Sequence, residues 1–139
     1  MRIMLDTNIL VSAFIFKRKT ISKMLDIVID FHAIVISSYI LDELKSVVEA
    51  KFPSKLSSLD FFLDRLPFEL VYCPDTIDKN KFPPLRDNSD LPVLASAVLA
   101  DVDCLLTGDK DFASLKLERP LIFTPAQFVA RYGDCDQEA

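Results

Sequence analysis

Short apolar runs rich in β-branched residues alternate along this chain with longer stretches whose apolar positions recur every three or four residues. Parallel strands need a long crossover between them, usually a helix, so this alternation marks an α/β domain with a mainly parallel sheet. Arg2 to Leu5 reads as the first strand and is followed by a helical run from about Ile9 to Phe16. Ile21, Met24, Leu25, Val28 and Ile29 fall at helical spacing and predict a second helix over 21–29, ahead of a second strand from Ala33 to Ile36. Ser37 and Ser38 can cap the next helix, whose apolar positions are Ile40, Leu41, Leu44, Val47 and Val48. Pro53 closes that segment, and a further helix over 56–66 leads through Pro67 to a strand from Glu69 to Tyr72.

From Cys73 to Asn88 there are three prolines and many charges, the composition of a surface loop. Leu91 to Ala100 is an almost wholly apolar helix, expected to be buried on most sides. A strand over 104–107, a helical turn over 111–115, a strand over 121–123 and a closing helix over 125–132 complete the pattern. Residues 1–132 read as a single domain and 133–139 as a flexible C-terminal tail.

Scarcity excludes whole classes of chemistry. The chain has two glycines, Gly108 and Gly133, one histidine, His32, and no tryptophan. It therefore cannot build a glycine-rich phosphate loop or a site needing two histidines on a metal. Cys73, Cys104 and Cys135 lie far apart with no Cys-x-x-Cys pair, which argues against zinc ribbons and dithiol redox chemistry and suits a reducing compartment. The net charge of −5 argues against gripping nucleic acid by bulk positive charge. A carboxylate, Asp6, interrupts the first apolar run too early for a secretory signal. The longest apolar stretches, Ile9 to Phe16 and Leu91 to Ala100, fall short of the roughly 20 residues of a membrane span. A cytoplasmic protein is expected.

The acids are better placed than their number suggests. In an open parallel sheet, ligands bind beyond the carboxyl ends of the strands, where the strand order reverses. Asp6 directly follows the first strand, Asp109 follows the strand that ends at Thr107, Glu43 lies in the first turns of the helix leaving the second strand, and Asp90 opens the apolar helix. Pro92 is tolerated there, since a first-turn N–H has no helical partner. Carboxylates gathered at one edge repel unless a cation sits among them, and Mg²⁺ or Mn²⁺ takes such oxygen ligands. A held ion could activate water and stabilise the charge on a phosphodiester during displacement. On the third helix, Glu43 lies about 100° from the centre of the apolar stripe and Asp42 about 160° at the helical angle per residue, so Glu43 is the one able to reach inward.

Singly, each of these acids reads as a helix cap or turn residue. Together they are more specific. Leu5-Asp6-Thr7-Asn8-Ile9-Leu10, Glu43, Asp90 ahead of Leu94-Ala95-Ser96-Ala97, and Thr107-Gly108-Asp109-Lys110-Asp111-Phe112 resemble, in this order, the PIN domain family. The likeness runs from Met1 to about Tyr132 and is strongest to the short stand-alone members that act as toxins of toxin-antitoxin pairs. It implies a PIN-like three-layer α/β/α fold with a five-stranded parallel sheet of order 3-2-1-4-5, and a Mg²⁺- or Mn²⁺-dependent endoribonuclease. Carried over by position, Asp6, Glu43, Asp90 and Asp109 match the catalytic metal ligands and Asp111 is a further ligand. Asn8 would steady the Asp6 carboxylate and Thr107 would orient a carboxylate or water. The partners implied are an RNA substrate, an antitoxin protein and a second copy in a homodimer. Pro92 departs from the family pattern, and Asp87, three residues before Asp90, competes for the same role.

Two rivals remain. A PIN-fold module without catalysis would bind RNA or protein. A phosphotransferase would use Asp6 as a covalent nucleophile, but Asn8 stands where such enzymes often carry a second Asp, and no suitably placed lysine is evident. Of the remaining polar groups, His32 reads as a turn or partly buried structural residue. The cysteines read as core hydrophobes, with Cys135 a surface thiol, and Lys17-Arg18-Lys19 as a solvated loop. Phe61 and Phe62, with Leu59, Leu63 and Leu66, crowd too much apolar surface onto one helix for all of it to face inward, and so suggest the core or a dimer contact.

Overall fold

The computed structural model describes residues 1–85, 90–113, 115 and 117–133. Asp87, Cys135 and the tail from 134 onward lie outside the described residues. Five parallel strands form one sheet: β1 (Arg2–Leu5), β2 (Ala33–Ser37), β3 (Phe68–Val71), β4 (Cys104–Leu106) and β5 (Leu121–Phe123), in the order β3-β2-β1-β4-β5. The chain first builds outward from β1 to β3, then returns to the other side of β1 for β4. This reversal sets β1 and β4 side by side, with Ile3 opposite Cys104 and Leu5 opposite Leu106.

The connecting helices are α1 (Thr7–Val11), α2 (Lys19–Phe31), α3 (Ser38–Lys51), α4 (Leu56–Arg65), α5 (Leu91–Leu99), α6 (Lys110–Ala113) and α7 (Pro125–Tyr132). They complete the three-layer α/β/α arrangement, with α2 packing on α7 and α3 touching α1, α4 and α5. The middle of the sheet is dry: Ile3, Met4, Leu5, Val35, Ile36, Leu105 and Leu106 are wholly buried. Runs of apolar residues without alternation are what strands covered on both faces require.

The elements differ from their sequence-based bounds in informative ways. The helix expected from Ile9 to Phe16 begins earlier, at Thr7, because Asp6 caps it, and from Ser12 to Phe16 it widens into a π-helical turn. The Lys17 N–H bonds back to the Ser12 carbonyl at 2.8 Å, five residues away. A 3.6-residue period cannot announce that widening. Lys17 ends the turn in the left-handed region at φ 49°, a place usually given to glycine. The third strand starts at Phe68 rather than Glu69 because its register is set by β2, where Ile34 opposes Phe68 and Ser37 opposes Val71. On α5 the residues from Val93 to Ala97 are buried, but Leu99 at the far end is 62% exposed.

The amino ends of the strands are tied by charge. Arg2 meets Glu69 of β3 at 3.0 Å and donates to the Ala100 carbonyl at 2.6 Å, while Arg119 bridges Asp101 and Asp103. His32 ends α2 with its ring against Phe128 and Tyr132 of α7. Burial, then the neighbouring terminal amino group, lowers its pKa from the ordinary imidazole value. Phe128 is wholly buried and joins α7 to this cluster. Phe128→Ala is expected to cost about 3–5 kcal/mol in urea unfolding, as large-to-small changes at filled sites do. A loss under about 1 kcal/mol would show that α7 is not part of the cooperative core.

Candidate functional site

The carboxyl edge of β1 and β4 carries a continuous run of hydrogen bonds. Asp6 continues the β1–β4 pairing, its N–H bonding to the Leu106 carbonyl at 3.0 Å. Its side chain then caps α1, Oδ1 accepting from the Thr7 N–H at 2.8 Å. Oδ2 accepts from the Thr107 hydroxyl at 2.7 Å. The same Thr107 oxygen accepts the Asp109 N–H at 3.0 Å, and Asp109 Oδ1 accepts the Asp111 N–H at 2.9 Å. Asp6, Thr107, Asp109 and Asp111 are thus linked bond to bond across two neighbouring strands. Capping and a ligand role are compatible here, since a carboxylate has more lone pairs than a single cap uses.

The other acids arrive from the helices. Asp90 is the N-cap residue of α5, held in helical backbone geometry with Pro92 in the first turn, and its Oδ2 is buried. Asp90, Asp109 and Asp111, all half-buried, each offer a carboxylate oxygen, and the three oxygens lie within 4.8 Å of one another. Glu43 projects from the second turn of α3 and is half-buried, whereas Asp42 beside it is exposed. The Tyr39 hydroxyl, one turn back, donates to Glu43 Oε2 at 3.2 Å.

The charges of these groups reach one another. Burial pushes the Asp6 carboxyl above its ordinary value, and the negative charges of Glu43 and Asp109 push it further the same way. The Thr107 hydroxyl and Thr7 N–H favour the ionised form and pull it back. Tyr39 is raised by burial, then by Glu43, with Asp90 adding to the effect. Five acids from four stretches of chain, Asp6, Glu43, Asp90, Asp109 and Asp111, therefore share one electrostatic neighbourhood.

Asn8 is exposed, and the two hydrogen bonds that hold Asp6 come from Thr7 and Thr107. Thr7 Oγ1 is buried with no hydrogen-bond partner among the described residues. The donor set is all oxygen, carboxylate for the most part, which fits a hard divalent cation and would suit a soft one poorly. Tyr39 has no part in the reading from residue order, although its four-residue spacing to Glu43 on one helix face is the signal that could have found it. Cys104 is a core thiol on β4, its pKa pushed up to about 12 by burial, and Cys73 is half-buried.

A family model for the PIN domain matches residues 2–111. Among solved structures, the crystal structure of VapBC2 from Rickettsia felis, bound to a DNA fragment from their promoter, contains a similar chain. It superposes with a TM-score of 0.67 at 23% identity, over 89% of this chain and 98% of that one. No curated protein matches.

The Asp6 shift has a sign that a melting experiment can read. A carboxyl raised above 3.8 in the folded state opposes folding once ionised; that cost is absent below pH 3.8 and grows as pH rises through the folded value. In chelator at pH 7, Asp6→Asn is therefore expected to melt a few degrees above the parent protein, and the gap should close as pH falls towards 4. A gap that is equal at both pH values, or reversed at pH 7, would contradict this balance.

Proposed function

The chain belongs to the PIN domain family, and we propose that it is a Mg²⁺- or Mn²⁺-dependent endoribonuclease, the toxin of a toxin-antitoxin pair. The observation that carries this reading is the convergence of the Asp90, Asp109 and Asp111 carboxylate oxygens, with Asp6 and Glu43 close enough for their charges to act on one another, in a chain with one histidine. Asp6, Glu43, Asp90 and Asp109 would hold the cation, with Asp111 a further ligand. When bound, such an ion activates water and offsets charge on a phosphodiester undergoing displacement. Thr107 fixes the Asp6 carboxylate through its hydroxyl and steadies the Asp109 backbone through the same oxygen. Asn8, exposed two residues past Asp6, would steady that carboxylate by hydrogen bonding.

An acidic centre on an acidic protein repels RNA until cations occupy it, so binding and catalysis would both depend on metal. The VapBC2 complex from Rickettsia felis supports a protein partner, and we assign that role to an antitoxin. A groove of about 520 Å³ gives such a partner apolar surface at Leu25, Ile29, Phe61 and Phe62, with Lys17 and Arg65 also lining it. Phe61 is 70% exposed on this face, and a second copy of the chain in a homodimer would compete with the antitoxin for it. No helix among the described residues is long and apolar enough to cross a membrane, and we place the protein in the cytoplasm, where its RNA substrate would be.

Two measurements test the reading. With Mn²⁺, the purified protein should cut single-stranded RNA, and Asp6→Asn or Asp109→Asn should each lower the rate at least about 100-fold with circular dichroism unchanged. Undiminished cutting by both variants would refute the proposal, and RNA binding without cutting by the parent would favour the non-catalytic module. Millimolar Mn²⁺ should also raise the melting temperature of the parent protein, because a ligand that binds only the folded state stabilises it. Absence of that rise would argue against an assembled site.

A further inference from the structure

We propose that Tyr39 is a positioning residue of the acidic centre, its hydroxyl holding the Glu43 carboxylate in the orientation from which it receives a divalent cation. The inference rests on the metal-dependent reading above and concerns a residue outside the acidic set. Tyr39 and Glu43 stand four apart on α3, one above the other on the same face. The hydroxyl donates to Glu43 Oε2 at 3.2 Å, which fixes the carboxylate while leaving it lone pairs for another partner.

Several observations make this contact more than a chance neighbour pair. Tyr39 is two residues past Ser37, whose side chain accepts the Ile40 N–H and caps α3, so the first turn that carries the ring is fixed. Ser38, beside it, accepts the Cys73 N–H at 2.9 Å, and Cys73 Sγ lies 3.7 Å from the Pro92 carbonyl of α5. Tyr39 therefore sits where α3 is joined to the segment that brings in Asp90, and it feels the charges of both Glu43 and Asp90.

Glutamate needs such help more than aspartate does. It has an additional side-chain torsion, and a half-buried Glu43 repelled by Asp6 gains by swinging towards solvent. One hydrogen bond from a rigid aromatic side chain opposes that swing. A lysine or arginine would hold the carboxylate too, but its charge would compete with the cation; a neutral phenol holds it without that cost. Thr107 stands in the same relation to Asp6, again as a neutral hydroxyl donating to one oxygen.

Tyr39→Phe removes only the hydroxyl. Calorimetry with Mn²⁺ alone, on full-length protein without RNA, should show binding about tenfold or more weaker than the parent, as expected for losing a hydrogen bond to a charged group. The Mn²⁺ concentration for half-maximal RNA cleavage should rise by the same factor, with the rate at saturating Mn²⁺ reduced far less. The melting temperature in chelator should stay within about 2 °C of the parent. In a Glu43→Gln background, Tyr39→Phe should have no further effect on Mn²⁺ binding, since the hydroxyl acts through the carboxylate. Unchanged Mn²⁺ affinity in Tyr39→Phe, or an equal loss with and without Glu43, would overturn the assignment while leaving the ribonuclease reading in place. Slower cutting with unchanged Mn²⁺ affinity would also overturn it, by making Tyr39 a contact to RNA. A parent protein that binds no Mn²⁺ would overturn both.

Discussion

The pairing of β1 with β4 is the constraint on which the rest of this molecule turns. These strands are separated by about a hundred residues of chain, and nothing local obliges them to meet. Their register, Ile3 to Cys104 through Leu5 to Leu106, is held by side chains that no water reaches. A slip of one residue would turn each apolar side chain to the opposite face. Because the register holds, the next residues fall together as well. Asp6 bonds to the Leu106 carbonyl, and its carboxylate meets the Thr107 hydroxyl.

From that pairing follows an electrostatic problem that the fold does not relieve by itself. Asp6 is buried and lies within the influence of Glu43 and Asp109, so its ionised form is disfavoured. Hydroxyls and backbone N–H groups offset part of the cost: Thr107 and Thr7 at Asp6, the Asp111 N–H at Asp109 and Tyr39 at Glu43. Among the described residues, Arg2 and Arg119 pair with acids at the amino ends of the strands. Such a distribution stores repulsion at one edge of the sheet, and a divalent cation is the simplest thing that would release it. Stability and the proposed chemistry are therefore coupled at Asp6, whose burial disfavours the very charge that a bound cation would stabilise.

Much of this was legible beforehand, for reasons that differ from element to element. The strands β1, β2 and β5 are short apolar runs bounded by turn residues, and α7 opens with Pro125 in its first turn and a capping box between Thr124 and Gln127, both local features. Helix periodicity separated Glu43 from Asp42, and the half-buried glutamate beside an exposed aspartate follows that angle. The π-helical turn over Ser12–Phe16 escaped the same method, because five-residue hydrogen bonding has no apolar signature of its own. Asp6 illustrates a different limit. Its position after a strand announced both a helix cap and a ligand, and the side chain takes up the first role while keeping an oxygen on Thr107.

Residue order alone supplied the α/β alternation, the acids at strand and helix ends and the absence of histidine-rich or glycine-rich chemistry, since periodicity, capping and composition act over a few residues. Distance along the chain hides the rest. That Asp90, Asp109 and Asp111 bring oxygens within 4.8 Å of one another depends on how α5 and α6 pack at the edge of the sheet. That Tyr39 feels Asp90 depends on α3 and α5 being in contact, whereas its bond to Glu43 lies within one turn of α3. Contacts of this kind are set by shape and by the burial of apolar surface between remote segments, which no window along the chain contains.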